Sequence, residues 1–518
     1  MEFTLFIISI LSFMFCFFII LKHNIHIFQI NFYKVKPQLK YIYKNISKIF
    51  ITGILLTIAG IFAIFENLYF IGYIAILIIV GIINIERNVK KKIVYTARVK
   101  RLILSSYIFA FIIAAIVYIF TKSYGIVLIV LAYINVFLPL IMLFINMLNL
   151  PINNMINKYY INDARKIIGS MKNLIVIGVT GSYGKTSVKN FLYKCLSAKY
   201  NVLITPENYN TTLGVVKTIR NYLKPTHEIF ICEMGATNVG DIKEICDLVH
   251  PKYGIITSIG PQHLESFGSI ENIIKTKFEL ADSIPSDGIV FLNYDNEYIK
   301  NHKIDKNVIT YGVENSLLNY QAYDLKSNSS GITFKIKDKN SNEYEFFSKV
   351  IGRHNIENIT GALAVANKLD IPFDKLQARV RMIEPVEHRL QIIKKGNDII
   401  IDDAYNSNPS GSKSAVETLN TFEGVKIVVT PGMIELGDKE YELNYEFGKY
   451  CAKNADYIVL VGKKQTKPIY DGAMNEKFDK QKIIVVDTLS EGLEKVYSLN
   501  VGNNRRVILL ENDLPDNY

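Results

Sequence analysis

Cysteine is scarce in this chain: five of its 518 residues are cysteine, and no two of them form a C-x-x-C pair. An odd count without paired spacing argues against both a disulfide framework and a zinc site. We therefore expect reduced thiols buried in a cytosolic fold. They are Cys16, Cys195, Cys232, Cys246 and Cys451.

Acidic residues are nearly missing from the first 150 positions, which contain 3 Asp and Glu against 14 Lys and Arg. Residues 151–518 contain 45 of each sign, so the net charge of +11 comes entirely from the N-terminal part. That part is also the more apolar one. A nucleic-acid-binding domain does not combine these features, whereas a membrane anchor with basic loops does. The composition predicts a lipid bilayer as a partner and excludes nucleic acid.

Long apolar runs fill the N-terminal part, and five of them reach, or nearly reach, the roughly 20 residues that cross a bilayer. They lie at 3–21, 49–65, 69–85, 102–121 and 124–148. No small-residue cleavage site follows the first run, which argues against a signal peptide. Basic residues crowd the loops after the first and third runs, so the positive-inside rule places both loops in the cytoplasm. An odd number of spans then places the N-terminus outside and all residues after Leu150 inside.

The second and third runs are short and are also compatible with a re-entrant hairpin, which would leave the sidedness unchanged. No run carries an ionisable residue deep inside it, so nothing indicates an ion or proton path. We therefore expect residues 1–150 to be an anchor of about five transmembrane helices. Residues 151–171 are expected to be a linker.

From Lys172 onward, short runs of Val, Ile and Leu alternate with helical patterns, which indicates parallel α/β sheets. Strands are expected at 174–180, 228–234, 253–259 and 288–293. The more polar stretch at 305–350 indicates antiparallel strands or a small insertion. Another run of strands begins at 398 and indicates a separate Rossmann-like domain that starts near residue 388. The predicted fold class is a multi-span helical membrane domain followed by two α/β domains.

A glycine-rich loop, "GVTGSYGKTS" (178–187), follows the first of these strands and opens a helix. Its backbone N–H groups and the helix dipole suit an anionic phosphate. Gly181 and Gly184 permit close backbone approach. Lys185 is expected to neutralise the β- and γ-phosphates of a nucleotide, and Thr186 to offer its hydroxyl to Mg²⁺. Val179 stands where the common phosphate loop has its first glycine, so this loop has the shorter form G-x-x-G-K-T.

Further candidate residues lie at or after later strands, at the edge where open α/β sheets bind ligands. Glu233 ends one strand, and His263 follows another. Both are candidates to bind magnesium, although histidine is an unusual ligand for so hard a cation and a hydrogen-bonded loop histidine is the alternative. Lys277 lies on a helix, where a solvated surface lysine is the simpler interpretation.

Five further motifs follow the loop. They are "EMGA" (233–236), "ITSIGPQHLESFGSIENIIKTKFEL" (256–280), "GRHNIENITGALAVA" (352–366), "DDAYNSNPSG" (402–411) and "PGMIELG" (431–437). In this order the chain resembles the Mur ligases, ATP-dependent amide-forming enzymes of peptidoglycan synthesis, and most of all the MurF type. The resemblance covers residues 172–518. It implies a Mur ligase central ATP-binding domain at 172–387 and a Mur ligase C-terminal domain at 388–518.

The resemblance also implies roles for single residues in binding ATP. The adenine would contact Asn355 and Asn358, the γ-phosphate Arg389, and the ribose or a phosphate Asp403. The phosphate loop would contribute Gly181, Ser182, Gly184, Lys185, Thr186 and Ser187.

Two Mg²⁺ ions are implied as well, held by Thr186, Glu233, His263 and Lys277. Lys277 would be carbamylated by CO₂, which turns a cation into an anionic ligand. The implied catalytic residues are Lys185, Lys277, His263 and Arg389. The implied substrates are a muropeptide carboxylate and a D-Ala-D-Ala-like amine, which would meet Asn208, Asn210, Thr211, Asn406 and Asn408.

The N-terminal part departs from the family. A MurF enzyme begins with a soluble domain that holds the UDP-sugar, and the apolar runs take that position here. A lipid-linked or non-peptidoglycan carboxylate is therefore an alternative substrate. An inactive ATP-binding membrane scaffold is the alternative from another class, but the retention of Lys277, His263 and Arg389 together argues against it. We expect a plasma-membrane protein with cytoplasmic catalytic domains and cell-wall synthesis enzymes as candidate partners.

Overall fold

The computed structural model describes most of the chain. The residues outside the description are 1, 32, 65–69, 86–91, 207–208, 263, 314–316, 329–330, 405–407, 435, 503 and 514–518. The described chain forms two compact units, one of residues 1–159 and one of residues 160–514. All five cysteines are free and buried, as the sequence predicts.

The first unit is built from helices with mostly apolar sequences. They are α1 (Glu2–Ile30), α2 (Val35–Lys44), α3 (Ile46–Ile64), α4 (Phe70–Ile83), α5 (Ala97–Thr121), α6 (Tyr124–Val136) and α7 (Leu138–Gly169). By length and composition, three of the described helices can cross a membrane: α1, α5 and α7. The bent pair of α2 and α3 makes a fourth span if its two parts cross together. The apolar helices α4 and α6 are shorter.

One sequence expectation for this region is wrong. The run predicted at 124–148 is divided between α6 and α7, with Phe137 between them. Pro139 explains the break, because a proline has no N–H to donate to the carbonyl of residue 135. The predicted linker is largely helical, because α7 continues to Gly169. Ala164 and Ile168 bury one face of this segment in the core of the second unit.

The second unit begins with a nine-stranded sheet in the order β2-β3-β1-β4-β5-β6-β7-β8-β9. The strands are β1 (Ile175–Thr180), β2 (Val202–Ile204), β3 (Ile229–Glu233), β4 (Tyr253–Ile256), β5 (Ile289–Asn293), β6 (Val308–Gly312), β7 (Tyr320–Asn328), β8 (Gly331–Lys337) and β9 (Glu343–Ser348). Strands β7, β8 and β9 pair antiparallel, and the other neighbours pair parallel. The predicted antiparallel stretch is therefore an extension of the parallel sheet.

Helices cover both faces of this sheet, as parallel strands require. They are α8 (Lys185–Leu196), α9 (Thr212–Tyr222), α10 (Asp241–Val249), α11 (Leu264–Phe267), α12 (Ile270–Ser283), α13 (Glu297–Lys300), α14 (Arg353–Lys368) and α15 (Phe373–Arg381). Apolar side chains of α8, α14 and α15 pack on one face. Those of α9, α10 and α12 pack on the other. Strand β1 lies between β3 and β4, so the loops that leave these three strands meet at one edge.

A six-stranded sheet with the order β10-β11-β15-β12-β13-β14 completes the second unit. Its strands are β10 (Gln391–Lys395), β11 (Asp398–Asp403), β12 (Val425–Thr430), β13 (Tyr457–Val461), β14 (Ile483–Val486) and β15 (Arg506–Glu511). Its helices are α16 (Pro409–Asn420), α17 (Glu440–Asn454), α18 (Lys467–Asn475) and α19 (Leu489–Ser498), with short 3-10 turns at Gly437–Lys439 and Lys480–Lys482. All pairs are parallel except β10 with β11. The two predicted α/β domains are confirmed.

Candidate functional site

The glycine-rich loop between β1 and α8 depends on both of its predicted glycines. Gly181 has φ +152° and Gly184 has φ +82°, in the region that favours glycine. A Cβ atom at Gly181 would lie 2.1 Å from the Thr257 hydroxyl oxygen. A Cβ atom at Gly184 would lie 2.7 Å from the Asn358 side-chain oxygen. The loop is therefore closely packed, with Asn358 beside the start of α8.

Ser182 fixes this loop to the segment after β4. Its hydroxyl donates to the Gly260 carbonyl oxygen at 3.0 Å and accepts from the Gly260 N–H at 3.1 Å. Its backbone N–H donates to the Ser258 carbonyl oxygen at 2.6 Å. The Thr257 hydroxyl donates to the Tyr183 carbonyl oxygen. The described geometry thus gives Ser182 a role in holding the loop, in addition to the nucleotide contact that the resemblance implies.

Lys185 lies at the N-terminus of α8. Its ammonium group donates to the Gly181 and Ser182 carbonyl oxygens, each at 2.8 Å. Burial lowers the pKa of Lys185 to about 8, the Glu233 carboxylate opposes this shift, and the charge of Arg389 adds to it. Two cations, one from each α/β domain, therefore act on each other at the phosphate loop. An anionic ligand between them would relieve that repulsion.

Glu233, at the end of β3, is the centre of a buried polar cluster. One carboxylate oxygen accepts from the Thr186 hydroxyl at 3.1 Å and from the Asn210 amide at 3.1 Å. The other oxygen lies 3.0 Å from the Lys189 ammonium, and the side chains of this ion pair are each 2% exposed. Lys189 belongs to none of the sequence motifs described above. Its signal was the spacing of four from Lys185, which places both lysines on one helix face.

The donor set at this cluster suits one magnesium ion. The Thr186 hydroxyl and the Glu233 carboxylate meet at a helix N-terminus, and Mg²⁺ commonly binds one or two protein oxygens together with nucleotide phosphates. Among the described residues, no group of three or more His, Cys, Asp and Glu could hold a metal ion. His263 lies outside the described residues, and both magnesium ions stay predictions.

Lys277, on α12, is 2% exposed, so the simpler interpretation of a solvated lysine is wrong. Burial lowers its pKa well below the usual range, and the charge of Lys185 lowers it further. Asp241 and Glu279 act in the opposite direction. Its nitrogen lies 6.0 Å from the centre of the Phe267 ring. A buried amine of lowered pKa is the reactive form of lysine, because only the neutral amine has a free electron pair.

The N-terminal turn of α14 lies at the junction of the two α/β domains. Asn355 is buried and its amide donates to the Ile351 carbonyl oxygen at 2.7 Å. His354 contacts the Ser414 hydroxyl of α16 through Nδ1 at 2.9 Å. Burial, together with the charge of Arg389, lowers the pKa of His354 to about 4, so this imidazole is neutral at pH 7. The two domains therefore meet through uncharged polar groups here.

Arg389 precedes β10, and its backbone neighbours are unusual. His388 has φ 59° and Leu390 has φ 46°, a region that costs about 1–3 kcal/mol for residues other than glycine. Two adjacent carboxylates at the end of β11 hold them. Asp402 lies 2.7 Å from the His388 ring nitrogen, and Asp403 accepts from the Leu390 N–H at 3.0 Å. Neither the strain nor the role of Asp402 and His388 was evident in the sequence.

The pKa of Asp403, at the end of β11, reflects the burial of the segment around Arg389. Burial raises its pKa to about 6, while the Leu390 N–H, the charge of Arg389 and a hydrogen bond with Glu511 oppose the shift. Arg389 thus acts on Lys185, His354 and Asp403. The structure brings Arg389 into electrostatic range of the phosphate loop, although the two are about 200 residues apart in sequence.

The remaining predicted site residues lie at the starts of helices or outside the described residues. Ser187 is buried in α8. Thr211 caps α9 by accepting from the Gly214 N–H at 3.3 Å. Asn408 caps α16 by accepting from the Gly411 N–H at 2.8 Å. Asn208, His263 and Asn406 lie outside the described residues. The roles of all these residues stay predictions.

Comparison with known proteins matches both α/β domains. Residues 179–366 match the Mur ligase middle domain, and residues 388–510 match the Mur ligase, glutamate ligase domain. The UDP-N-acetylmuramoyl-tripeptide–D-alanyl-D-alanine ligase of Bacillus subtilis is 30% identical over 60% of this chain and 66% of that enzyme. The enzyme of that name from Escherichia coli is 28% identical over 65% of this chain and 75% of that enzyme. This chain thus spans about two thirds of the length of the Bacillus subtilis relative.

The structural comparison agrees with the sequence comparison. The crystal structure of MurF ligase from Thermotoga maritima in complex with ADP has a TM-score of 0.62 and 26% identity. The matched region covers 69% of this chain and 80% of the Thermotoga maritima chain. Long apolar helices stand in this chain instead of a Mur ligase N-terminal domain. The chain belongs to the Mur ligase family of ATP-dependent amide ligases, and MurF enzymes are among its relatives.

Proposed function

We propose that this protein is a membrane-anchored ligase that uses ATP to join a muropeptide carboxylate to D-Ala-D-Ala, the reaction named in its MurF relatives. The observation that carries the proposal is the glycine-rich loop itself, where the Lys185 ammonium donates to the Gly181 and Ser182 carbonyl oxygens at 2.8 Å and the charge of Arg389, from the other α/β domain, acts on it. The ligase reaction needs such a site, because a carboxylate must approach a triphosphate of the same charge. Fixed cations reduce this repulsion and stabilise the transferring phosphoryl group.

The chemistry has two steps. A carboxylate oxygen of the substrate attacks the γ-phosphorus of ATP; an oxygen–phosphorus bond forms, the bond to the bridging oxygen breaks, and ADP leaves. The amine nitrogen then attacks the acyl carbon of the acyl phosphate. A carbon–nitrogen bond forms, the carbon–oxygen bond breaks, phosphate leaves, and the nitrogen loses a proton to solvent. Lys185 and Arg389 would hold the γ-phosphate in both steps.

The supporting residues have matching tasks. Thr186 and Glu233 would bind one magnesium ion, which, when bound, neutralises phosphate charge. Asn210 and Lys189 would hold the Glu233 carboxylate in place. Lys277 would react through its neutral amine with CO₂, so that a nitrogen–carbon bond forms and a proton is lost. The resulting anion would serve a second magnesium ion.

A second candidate is the same reaction on a lipid-linked carboxylate. The observation that favours it is the apolar helical unit in the place of the relatives' N-terminal domain. A substrate held in the bilayer would need no soluble UDP-binding domain. In both candidates we place the protein in the plasma membrane with the α/β domains in the cytoplasm, because ATP is cytosolic.

The two candidates separate in one assay. Purified full-length protein receives ATP, Mg²⁺, bicarbonate and D-Ala-D-Ala, with either UDP-MurNAc-tripeptide or a lipid-linked muropeptide. With UDP-MurNAc-tripeptide we expect phosphate release and a product whose mass is that of the amide formed with D-Ala-D-Ala. Turnover with the lipid-linked substrate alone would favour the second candidate.

The control for this assay is Lys185→Ala, which removes the cation at the phosphate loop. We expect this variant to release no more phosphate than buffer does. Wild-type protein that releases no phosphate with either substrate would contradict both candidates and favour an inactive scaffold.

A further inference from the structure

Helix α2 presents a row of apolar side chains to its surroundings. Val35, Leu39 and Tyr43 follow one another at intervals of four residues, so they lie along one side of the helix. Their side chains are 47%, 44% and 78% exposed. Contact of such an aligned row with water is unfavourable, so the row calls for an apolar environment that covers it.

A row of lysines runs beside the apolar row. Lys36, Lys40 and Lys44 each follow one of the apolar residues directly in the sequence, and all three are exposed. Successive residues of a helix are about 100° apart around its axis, so the lysine row flanks the apolar row. No acidic residue occurs in the sequence between Glu2 and Glu66. The outer surface of α2 therefore combines apolar side chains with positive charge.

The remaining face of α2 contacts the end of α1. Gln38 is buried, and its side-chain oxygen accepts from the Asn31 amide at 3.2 Å. The Tyr41 hydroxyl lies 3.0 Å from His23 Nε2. These two contacts fix which side of α2 faces the protein, and they leave the apolar row and the lysine row on the outside.

Helix α2 and the apolar helix after it point in different directions. The chain bends by 77° between α2 and Ile49–Ala63 of α3. Because α3 carries no charged residue after Lys48, we expect this part of α3 inside the bilayer. With α3 along the membrane normal, a helix at this angle lies close to the membrane plane.

Further basic residues lie near α2. The Gln29 side chain, at the end of α1, donates to the Val94 carbonyl oxygen and accepts from the Val94 N–H, each at 3.0 Å. The Arg98 guanidinium, in the first turn of α5, lies 3.8 Å from the centre of the Tyr33 ring, just before α2. These contacts bring the basic start of α5 to the segment that precedes α2. The positive field around α2 is strengthened as a result.

We propose that α2 lies in the surface of an anionic lipid leaflet, with its apolar row among the acyl chains and its lysine row on lipid phosphates. Amphipathic interfacial helices bury their apolar face about 5–10 Å into the boundary between head groups and acyl chains. Each lysine near an anionic leaflet strengthens binding about fivefold. The positive-inside rule assigns the leaflet to the cytoplasmic side. The proposal does not depend on the ligase reaction, because it concerns contact with lipid alone.

The chain contains no tryptophan, so a single introduced tryptophan reports on α2 alone. Full-length Leu39→Trp is placed in nanodiscs of phosphatidylcholine, with or without phosphatidylglycerol. Part of the lipid carries bromine, a contact quencher of tryptophan fluorescence, either near the glycerol backbone or near the end of the acyl chain. With phosphatidylglycerol present, we expect blue-shifted emission and at least about twofold stronger quenching by the shallow bromine than by the deep one. Leu317→Trp in the second unit, where Leu317 is 90% exposed, should emit as in water and show no quenching.

Lipid charge separates the lysine row from apolar contact alone. In the Leu39→Trp protein, changing Lys36, Lys40 and Lys44 together to glutamine should weaken the shallow quenching about threefold in nanodiscs with phosphatidylglycerol. Nanodiscs of phosphatidylcholine alone should give a similar loss with the three lysines in place. The matched control changes three exposed lysines of the second unit to glutamine and should leave the quenching unchanged. They are Lys275, Lys300 and Lys375.

Three results would overturn the proposal. Stronger quenching by the deep bromine, whatever the lipid charge, would show that α2 crosses the bilayer together with α3. Equal shallow quenching with and without phosphatidylglycerol would show that the lysine row does not bind lipid phosphates. Emission as in water, or a tryptophan shielded from bromine by a co-purified polypeptide, would show that lipid does not cover this face of α2.

Discussion

At the scale of single residues, the site depends on three lysines with different surroundings. Lys185 contacts loop carbonyl oxygens and has a lowered pKa. Lys189 is paired with the Glu233 carboxylate. Lys277 is buried, and its pKa is lowered well below the usual range. These surroundings fit a phosphate-binding cation, a positioning cation and a reactive amine respectively.

Lys277→Ala tests the reactive amine. We expect a loss of activity of at least about 100-fold, because the anion that would hold the second magnesium ion is removed. Phosphate release with saturating ATP and bicarbonate measures the loss. Short carboxylates such as acetate or propionate should restore part of the activity by entering the space of the carbamate. Lys275→Ala, an exposed neighbour on α12, is the control and should keep normal activity. Wild-type activity in Lys277→Ala would refute the role.

Lys189→Met tests the positioning cation. Removing one member of a buried ion pair costs about 3–5 kcal/mol, because the remaining carboxylate is left uncompensated. We expect a lower melting temperature, and a larger increase on adding Mg²⁺ and ATP than in the wild type, since a cation at Glu233 would replace the lost charge. Lys194→Met on the same helix should show neither effect. An equal increase in both proteins would contradict the positioning role.

At the scale of elements, the segment before β10 carries Arg389 between two residues in left-handed conformations. The carboxylates of Asp402 and Asp403 hold its two sides from the end of β11. One short hairpin of β10 and β11 therefore places a cation of the C-terminal domain in electrostatic range of the phosphate loop. The free energy of unfolding should therefore depend on pH through Asp403 of this hairpin.

Asp403 has a pKa of about 6 against an ordinary value of 3.8. A carboxyl group with a raised folded-state pKa stabilises the fold below its unfolded pKa, and this stability is lost as pH rises through the folded pKa. Relative to Asp403→Asn, the wild type should lose on the order of 1–3 kcal/mol of unfolding free energy between about pH 4 and 6.5. Urea unfolding at several pH values measures this difference, and a flat difference would contradict the assignment.

The sequence predicted most elements of the second unit, because runs of Val, Ile and Leu mark buried parallel strands. It missed β10, whose residues include two lysines and whose position is the sheet edge. It also did not predict that α7 continues beyond residue 150. The residues of this segment are mostly polar, and only a few of them, such as Ala164 and Ile168, are buried in the core. The resemblance to the family's motifs singled out Glu233 and Lys277, and their roles stay predictions. The pairing of Lys189 with Glu233, and the strain beside Arg389, depend on tertiary contacts that local sequence does not encode.

At the scale of the whole molecule, membrane sidedness decides which substrates the α/β domains meet. Three spans or five spans put residue 1 and residue 160 on opposite sides, whereas the four spans that include the bent pair put them on the same side. We expect an odd number, with the α/β domains inside.

Peptide tags at the N-terminus and in the loop at Lys122, between α5 and α6, test this topology. Protease added to intact protoplasts, whose plasma membrane is directly accessible, should remove both tags. A tag at residue 160 should stay intact. Lysed cells supply the control, because all three tags should then be cut. Protection of the N-terminal tag in intact cells would contradict the odd count.

The central claim is that ATP activates a carboxylate by phosphoryl transfer. The most direct measurement uses a muropeptide whose reacting carboxylate carries ¹⁸O, together with ATP, Mg²⁺, bicarbonate and D-Ala-D-Ala. Mass spectrometry of the released phosphate should show one ¹⁸O atom per phosphate, because the carboxylate oxygen stays with phosphorus when the amine displaces it. Label found in AMP, or phosphate released without label while amide forms, would contradict the account.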